Sequence, residues 1–214
     1  MPKKPWDIPP RPSTYDKDPE ELFAAVGGAL SSWQYVEDAI ASLFEAIVSD
    51  GDMLILSFAK SMSPAKRAYG SIVSFDARAE MVEAAADAFF HVHHHPRLHK
   101  RMRSIMQACR GWSARRNEIA HGKIGGAPTD LNYCALWPAD SSTRKNEIDH
   151  RAKFVYNAAL IKEFDHHFLT LHSPLLDTAT EFRAWRAGLR ARLGLYPPPD
   201  DSLSDQELAQ NGPQ

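Results

Sequence analysis

The chain has 214 residues, 43% of them apolar, and a formal net charge of −2, which suits one main domain with a sizeable core and extensions. That balance excludes a uniformly basic nucleic-acid binder, although it hides how the charge is distributed. Cys109 and Cys134 are too few for a disulfide framework and fall in no Cys-x-x-Cys pattern, which points to a reducing compartment. Met1-Pro-Lys-Lys-Pro-Trp-Asp carries no apolar run after its lysines, and no segment reaches the length of a membrane span, so a cytoplasmic protein with no membrane partner is expected.

Residues 1–17 contain five prolines and read as an irregular arm that can lie along the surface and need not be part of the core. The domain proper is expected over 18–195. It opens at Asp18-Pro19-Glu20-Glu21, which places an acid at the N-cap, a proline in the first helical position and acids in the first turn. Leu22, Val26, Leu30, Trp33, Val36, Ile40, Leu43, Phe44 and Ile47 then recur every three or four residues, predicting a long amphipathic helix that Asp50-Gly51-Asp52 breaks. Ser63-Pro64 predicts a short second helix through Ile72, and Ser74 a third through Phe89-Phe90 that Pro96 ends. From Arg97 a further helix carries Leu98, Met102, Ile105, Met106, Cys109, Trp112 and Ile119 on its buried side, with Gly122 expected as the left-handed residue that closes it.

Gly125-Gly126-Ala127-Pro128 begins a polar stretch in which residues 133–137 and 153–156 are strand candidates for a small hairpin. Asn157 predicts the cap of a helix bearing Leu160, Ile161, Phe164, Phe168 and Leu171, and Ser173-Pro174 the start of a separate last helix through Leu193. Residues 196–214, three consecutive prolines followed mostly by acids, read as a disordered acidic tail. The fold class that results is mainly all-α, a helical bundle with a small β-hairpin insertion.

The total charge conceals a contrast. Between Arg97 and Lys123 eight basic residues stand against Glu118 alone, a local charge of +7 in a chain that otherwise sums to −9. Asp16 to Asp52 holds nine acids and one lysine, so one explanation is complementarity between the first helix and the basic one. The other is a polyanion partner, which would use the cluster at Arg115-Arg116 through phosphate contacts.

At the end of the basic helix stands Arg116-Asn117-Glu118-Ile119-Ala120-His121-Gly122: an arginine, four intervening residues and a histidine. This piece resembles the signature of the HEPN superfamily, and Trp33-x-x-x-Glu37 and Ser74-Phe75-Asp76-Ala77-Arg78 look like stretches seen in its bacterial members. The resemblance implies a HEPN-like bundle and a homodimeric ribonuclease using neither metal nor other cofactor, in toxin-antitoxin or phage-defence settings, where a separate antitoxin chain would be a further partner. It implies His121 as the acid or base and Arg116 as the phosphate holder; Asn117, four residues before His121 on the same face, could orient the imidazole by a hydrogen bond. Arg110, Arg115 and Lys123 would then contact RNA. The chemistry is coherent: metal-free RNA cleavage needs a base for the 2'-hydroxyl, an acid for the leaving oxygen and a cation against the developing phosphorane charge. Two histidines from two subunits would supply the first pair.

Residues five apart on a helix point about 140° away from each other, whereas Asn117 and His121, four apart, share a face. The plainer reading is that Arg116 and His121 cap carbonyls in a last turn that favours cations. Two rival functions follow: a HEPN-like module that binds RNA or protein without cutting, and an assembly protein whose tryptophans form a subunit interface. His91, His93, His94, His95 and His99 invite a zinc reading, but no acid or cysteine nearby completes a site, and solvated histidines are the expectation. Asp165-His166-His167 is read as surface, and Gly70-Ser71 lacks the Asp-x-Asp that a nucleotidyltransferase needs. Glu37, in the apolar stripe of the first helix, is expected at the edge of the buried face, with pairing to an arginine of the motif helix as the alternative.

Overall fold

The computed structural model describes residues 4–49, 63–127, 132–138 and 153–194. The break expected at Asp50-Gly51-Asp52 and the acidic tail over 196–214 lie outside these residues. In chain order the described elements are α1 (Pro19–Val48), α2 (Pro64–Ser71), α3 (Phe75–Val92), α4 (Pro96–His121), β1 (Gly122–Gly126), β2 (Cys134–Pro138) and α5 (Ala158–Leu193). The described residues are mainly helical with one small two-stranded antiparallel sheet, and no described helix is long and apolar enough to cross a membrane.

The helices begin where side chains can take up the orphan amides of a first turn. Asp18 accepts from the Glu20 amide at 2.8 Å, Ser63 from Lys66 at 3.2 Å, Ser74 from Ala77 at 3.4 Å and Asn157 from Leu160 at 3.0 Å. Pro96, expected to stop α3, instead occupies the first turn of α4, where it costs no hydrogen bond, and the preceding His95 caps that helix through Nδ1, 3.2 Å from the Leu98 amide.

Helices α1 and α5 lie side by side in the same direction. Lys162 near the start of α5 reaches Glu21 at 2.6 Å, and Arg183 near its end reaches the Ser42 carbonyl at 3.1 Å. Arg186 donates to the carbonyls of Ala46 and Ile47, closing the end of α1, whose own last turn holds no basic residue. Between the helices sits a core whose largest fully buried side chains include Trp33, Tyr156, Phe168, Phe182, Met102 and Met106. The Trp33 indole meets Phe75 at 5.2 Å and Phe168 edge-on at 5.0 Å, so it joins three helices.

Three expectations are corrected. Pro174 starts no separate helix; it lies inside the continuous α5, where it removes one backbone hydrogen bond. The helix persists across it because Phe168, Leu175, Ala179 and Phe182 are all buried, and leaving the helix would expose them. The hairpin pairs β2 not with residues 153–156 but with the glycine-rich β1, Lys123 opposite Trp137 and Gly125 opposite Ala135; residues 153–156 contribute one bridge, Tyr156 to Leu136. Gly122 is extended, with φ −75° and ψ 161°, and is needed for a different reason: a Cβ there would stand 2.8 Å from Leu136 and 2.9 Å from the Glu118 carbonyl.

Residues 4–17 lie outside the named helices and strands but are packed. Trp6 rests against the core where Gly111 leaves room on α4; a Cβ at Gly111 would fall 2.3 Å from its indole. Asp16 pairs with Cys134 along the backbone, and its carboxylate accepts from the Ala158 amide at 2.8 Å, so the arm joins sheet to helix.

Candidate functional site

The three stretches singled out in the sequence meet in space. Trp33 and Glu37 stand one turn apart on α1, and the indole Nε1 donates to Glu37 at 2.9 Å. From α3, Arg78 donates to the other carboxylate oxygen of Glu37 and to the Ile72 carbonyl at 2.6 Å, while its guanidinium lies 5.2 Å from the centre of the Tyr69 ring. From α4, Arg116 reaches Glu37 at 3.5 Å and Asn117 Oδ1 at 3.0 Å. Glu37 is 7% exposed, so it is no edge residue but a buried carboxylate held between two guanidiniums, and the pairing alternative is the correct one. Burial raises the Tyr69 phenol, and the nearby Glu37 charge raises it further.

A second cluster lies beside the first. Arg115 is 4% exposed and bonds Glu118 at 3.0 Å; Glu118 also accepts from the Tyr156 hydroxyl at 2.6 Å and pairs with Lys153 at 3.5 Å. Burial, then the Glu118 hydrogen bond, raises the Tyr156 phenol. Each cluster holds one carboxylate and two cations, so each keeps a net charge of +1 next to the end of α4.

The predicted site residues therefore separate. Arg116 is half-buried and turned toward α1; Asn117 and His121 are exposed on the face they share. Asn117 is bonded to Arg116, and among the described residues no side-chain hydrogen bond joins either of them to His121. Of the residues expected to contact RNA, Arg110 bonds Glu83 of α3 at 2.9 Å, Arg115 faces the interior, and Lys123 is exposed on β1 opposite Trp137. Complementarity accounts for most of the α4 arginines, but through α3 and α5 more than through the acidic α1. Arg97 and Arg101 both bond Glu181, at 3.0 and 2.9 Å, and Arg97 with its hydrogen bond holds that carboxyl below its ordinary range.

Of the five histidines around the α3–α4 junction, His91 and His94 are exposed, as expected, whereas His93, His95 and His99 are built into an aromatic cluster. His99 stacks on Phe90 at 4.6 Å and bonds Asp87 at 2.7 Å, and His93 and His95 pack against Trp185. Among the described residues no group of three or more His, Cys, Asp or Glu side chains is arranged to hold a metal. His167 is not plain surface, since it stacks on Trp112 at 4.4 Å. Sequence reasoning missed Arg78 and Tyr156 as partners of the motif helix; the available signal was a glutamate inside an apolar stripe, which demands a cation from another element. No family model, curated protein or solved structure matches the chain.

Proposed function

We propose that the protein is a metal-independent endoribonuclease of HEPN type, cytoplasmic and homodimeric, in which two copies bring their α4 ends together over one RNA strand. The observation that carries this reading is the division of labour at the end of α4: Asn117 and His121 are exposed side by side, while Arg116 is held behind them by Glu37. The net charge of +1 in each of the two adjoining clusters suits a phosphodiester. In the reaction, neutral His121 of one copy takes the proton of the 2'-hydroxyl and the oxygen attacks phosphorus. Protonated His121 of the other copy gives a proton to the departing 5'-oxygen, leaving a 2',3'-cyclic phosphate and a 5'-hydroxyl. For this step Arg116 leaves Glu37, which Arg78 continues to hold, and turns to the charge that develops on phosphorus; a toxin-antitoxin or phage-defence setting, with a separate inhibitory chain, fits such an activity.

One observation favours a second reading. Arg116 points toward Glu37 rather than toward the His121 face, the arrangement of a structural ion pair, and a module that binds RNA without cutting it would need no more. The test is incubation of labelled single-stranded and transfer RNA with purified protein in excess chelator. Cutting that leaves cyclic phosphate ends supports the nuclease; binding without cutting replaces it with the non-catalytic module; neither binding nor cutting leaves the assembly protein.

A further inference from the structure

Five arginines of α4 are engaged with carboxylates: Arg97 and Arg101 with Glu181, Arg110 with Glu83, Arg115 with Glu118 and Arg116 with Glu37. Lys100 and Arg103 differ. They stand three residues apart on one side of the helix, both exposed, and among the described residues neither has an ion-pair or hydrogen-bond partner. Like charges at this spacing repel each other. Both line a groove of about 330 Å³ together with His94, His95 and His99, over the buried ring of Phe90. No carboxylate lines this groove, and the acids just beyond it, Asp87 and Glu181, are already bonded to His99 and to the two arginines. His95 accepts the Leu98 amide through Nδ1, so in its neutral form the ring carries its proton on Nε2, as a donor.

Position adds a second argument. Arg103 and His121 are separated by five full turns and so lie on one line along α4, about 27 Å apart. Between them on that line stand Gln107, Arg110, Ala114 and Asn117, exposed or half-exposed and free of large apolar side chains. A polar track thus runs from the groove to the motif, with a length that suits the roughly 4–16-nucleotide footprint of single-strand sites.

We propose that the groove at the start of α4 is a phosphate-binding site for single-stranded RNA, in which Lys100 and Arg103 neutralise backbone phosphates while the strand follows the α4 track toward His121. The site rests on the RNA reading above but not on cleavage. It has the composition of an electrostatic contact, cations without acids, in a concave space at the lower end of ligand-pocket volumes of about 300–1,000 Å³.

The test uses the full chain, excess chelator and a fluorescent 2'-O-methyl oligonucleotide that 2'-hydroxyl chemistry cannot cut, with anisotropy read over a series of salt concentrations. Replacing Lys100→Gln and Arg103→Gln together should weaken binding at least fivefold and flatten the salt slope by about 1.4, at roughly 0.7 per single-strand phosphate contact. The thermal midpoint should hold, since both side chains are exposed. An unchanged slope and affinity, or a wild type that does not bind, overturns the proposal. Binding of inorganic phosphate itself at millimolar concentration, read by calorimetry, in a protein that does not bind the oligonucleotide would assign the groove to a free anion and overturn the strand. Slope loss in a protein that never cuts RNA keeps this site and removes the nuclease; cutting with an unchanged slope does the reverse.

Discussion

The two sides of the last turns of α4 differ in what their charged residues do. On the inner side, Arg115 and Arg116 are adjacent in sequence yet serve separate clusters, one closed by Glu118 and Tyr156, the other by Glu37 and Arg78. On the outer side, Asn117 and His121 share an exposed face. The lesson is that a motif in one short stretch distributes its members over two environments: removing an inner residue strands a charge in low dielectric, whereas removing an outer one changes what solvent and ligands meet.

The contrast can be broken most forcibly at Glu37. Glu37→Gln leaves Arg78 and Arg116 facing each other without their carboxylate, and about 3 kcal/mol of stability should be lost in urea unfolding. Gly122→Ala pushes a methyl group into Leu136 and the Glu118 carbonyl, so a loss of about 1–3 kcal/mol is expected from the same measurement. Tyr156→Phe removes the hydroxyl that donates to Glu118 and should lower the unfolding free energy by about 1–2 kcal/mol in the same measurement.

Far from both faces, Glu181→Gln sharpens the scale of a more exposed pair. Its carboxyl is held low mainly by the hydrogen bond from Arg97, so its contribution is complete above the ordinary carboxylate range and fades as pH falls through the lowered value. At neutral pH the loss should be no more than about 1 kcal/mol, and the wild-type and variant unfolding curves should converge in acid.

Much of this was legible in the chain itself. The caps at Asp18, Ser63, Ser74 and Asn157 and the apolar stripes of α1 and α4 are local signals, and each appears where spacing placed it. Elements set by tertiary contact were not. Gly122-Lys123-Ile124-Gly125-Gly126 has little strand propensity and becomes β1 because Leu136 needs the close approach that glycine allows. Pro174 signals a break, but burial of the residues around it outweighs one lost hydrogen bond. For the candidate site, the shared face of Asn117 and His121 follows from helical spacing, whereas the partner of Arg116 sits 79 positions away on α1 and no local pattern identifies it.

The most direct measurement takes His121→Ala through RNA cleavage in excess chelator and urea unfolding on the same preparation. An exposed acid-base histidine predicts an unfolding midpoint equal to that of the wild type and a rate at least 100-fold lower. Cleavage at the wild-type rate, or a midpoint that falls with the activity, would contradict the assignment of catalysis to the outer face of α4.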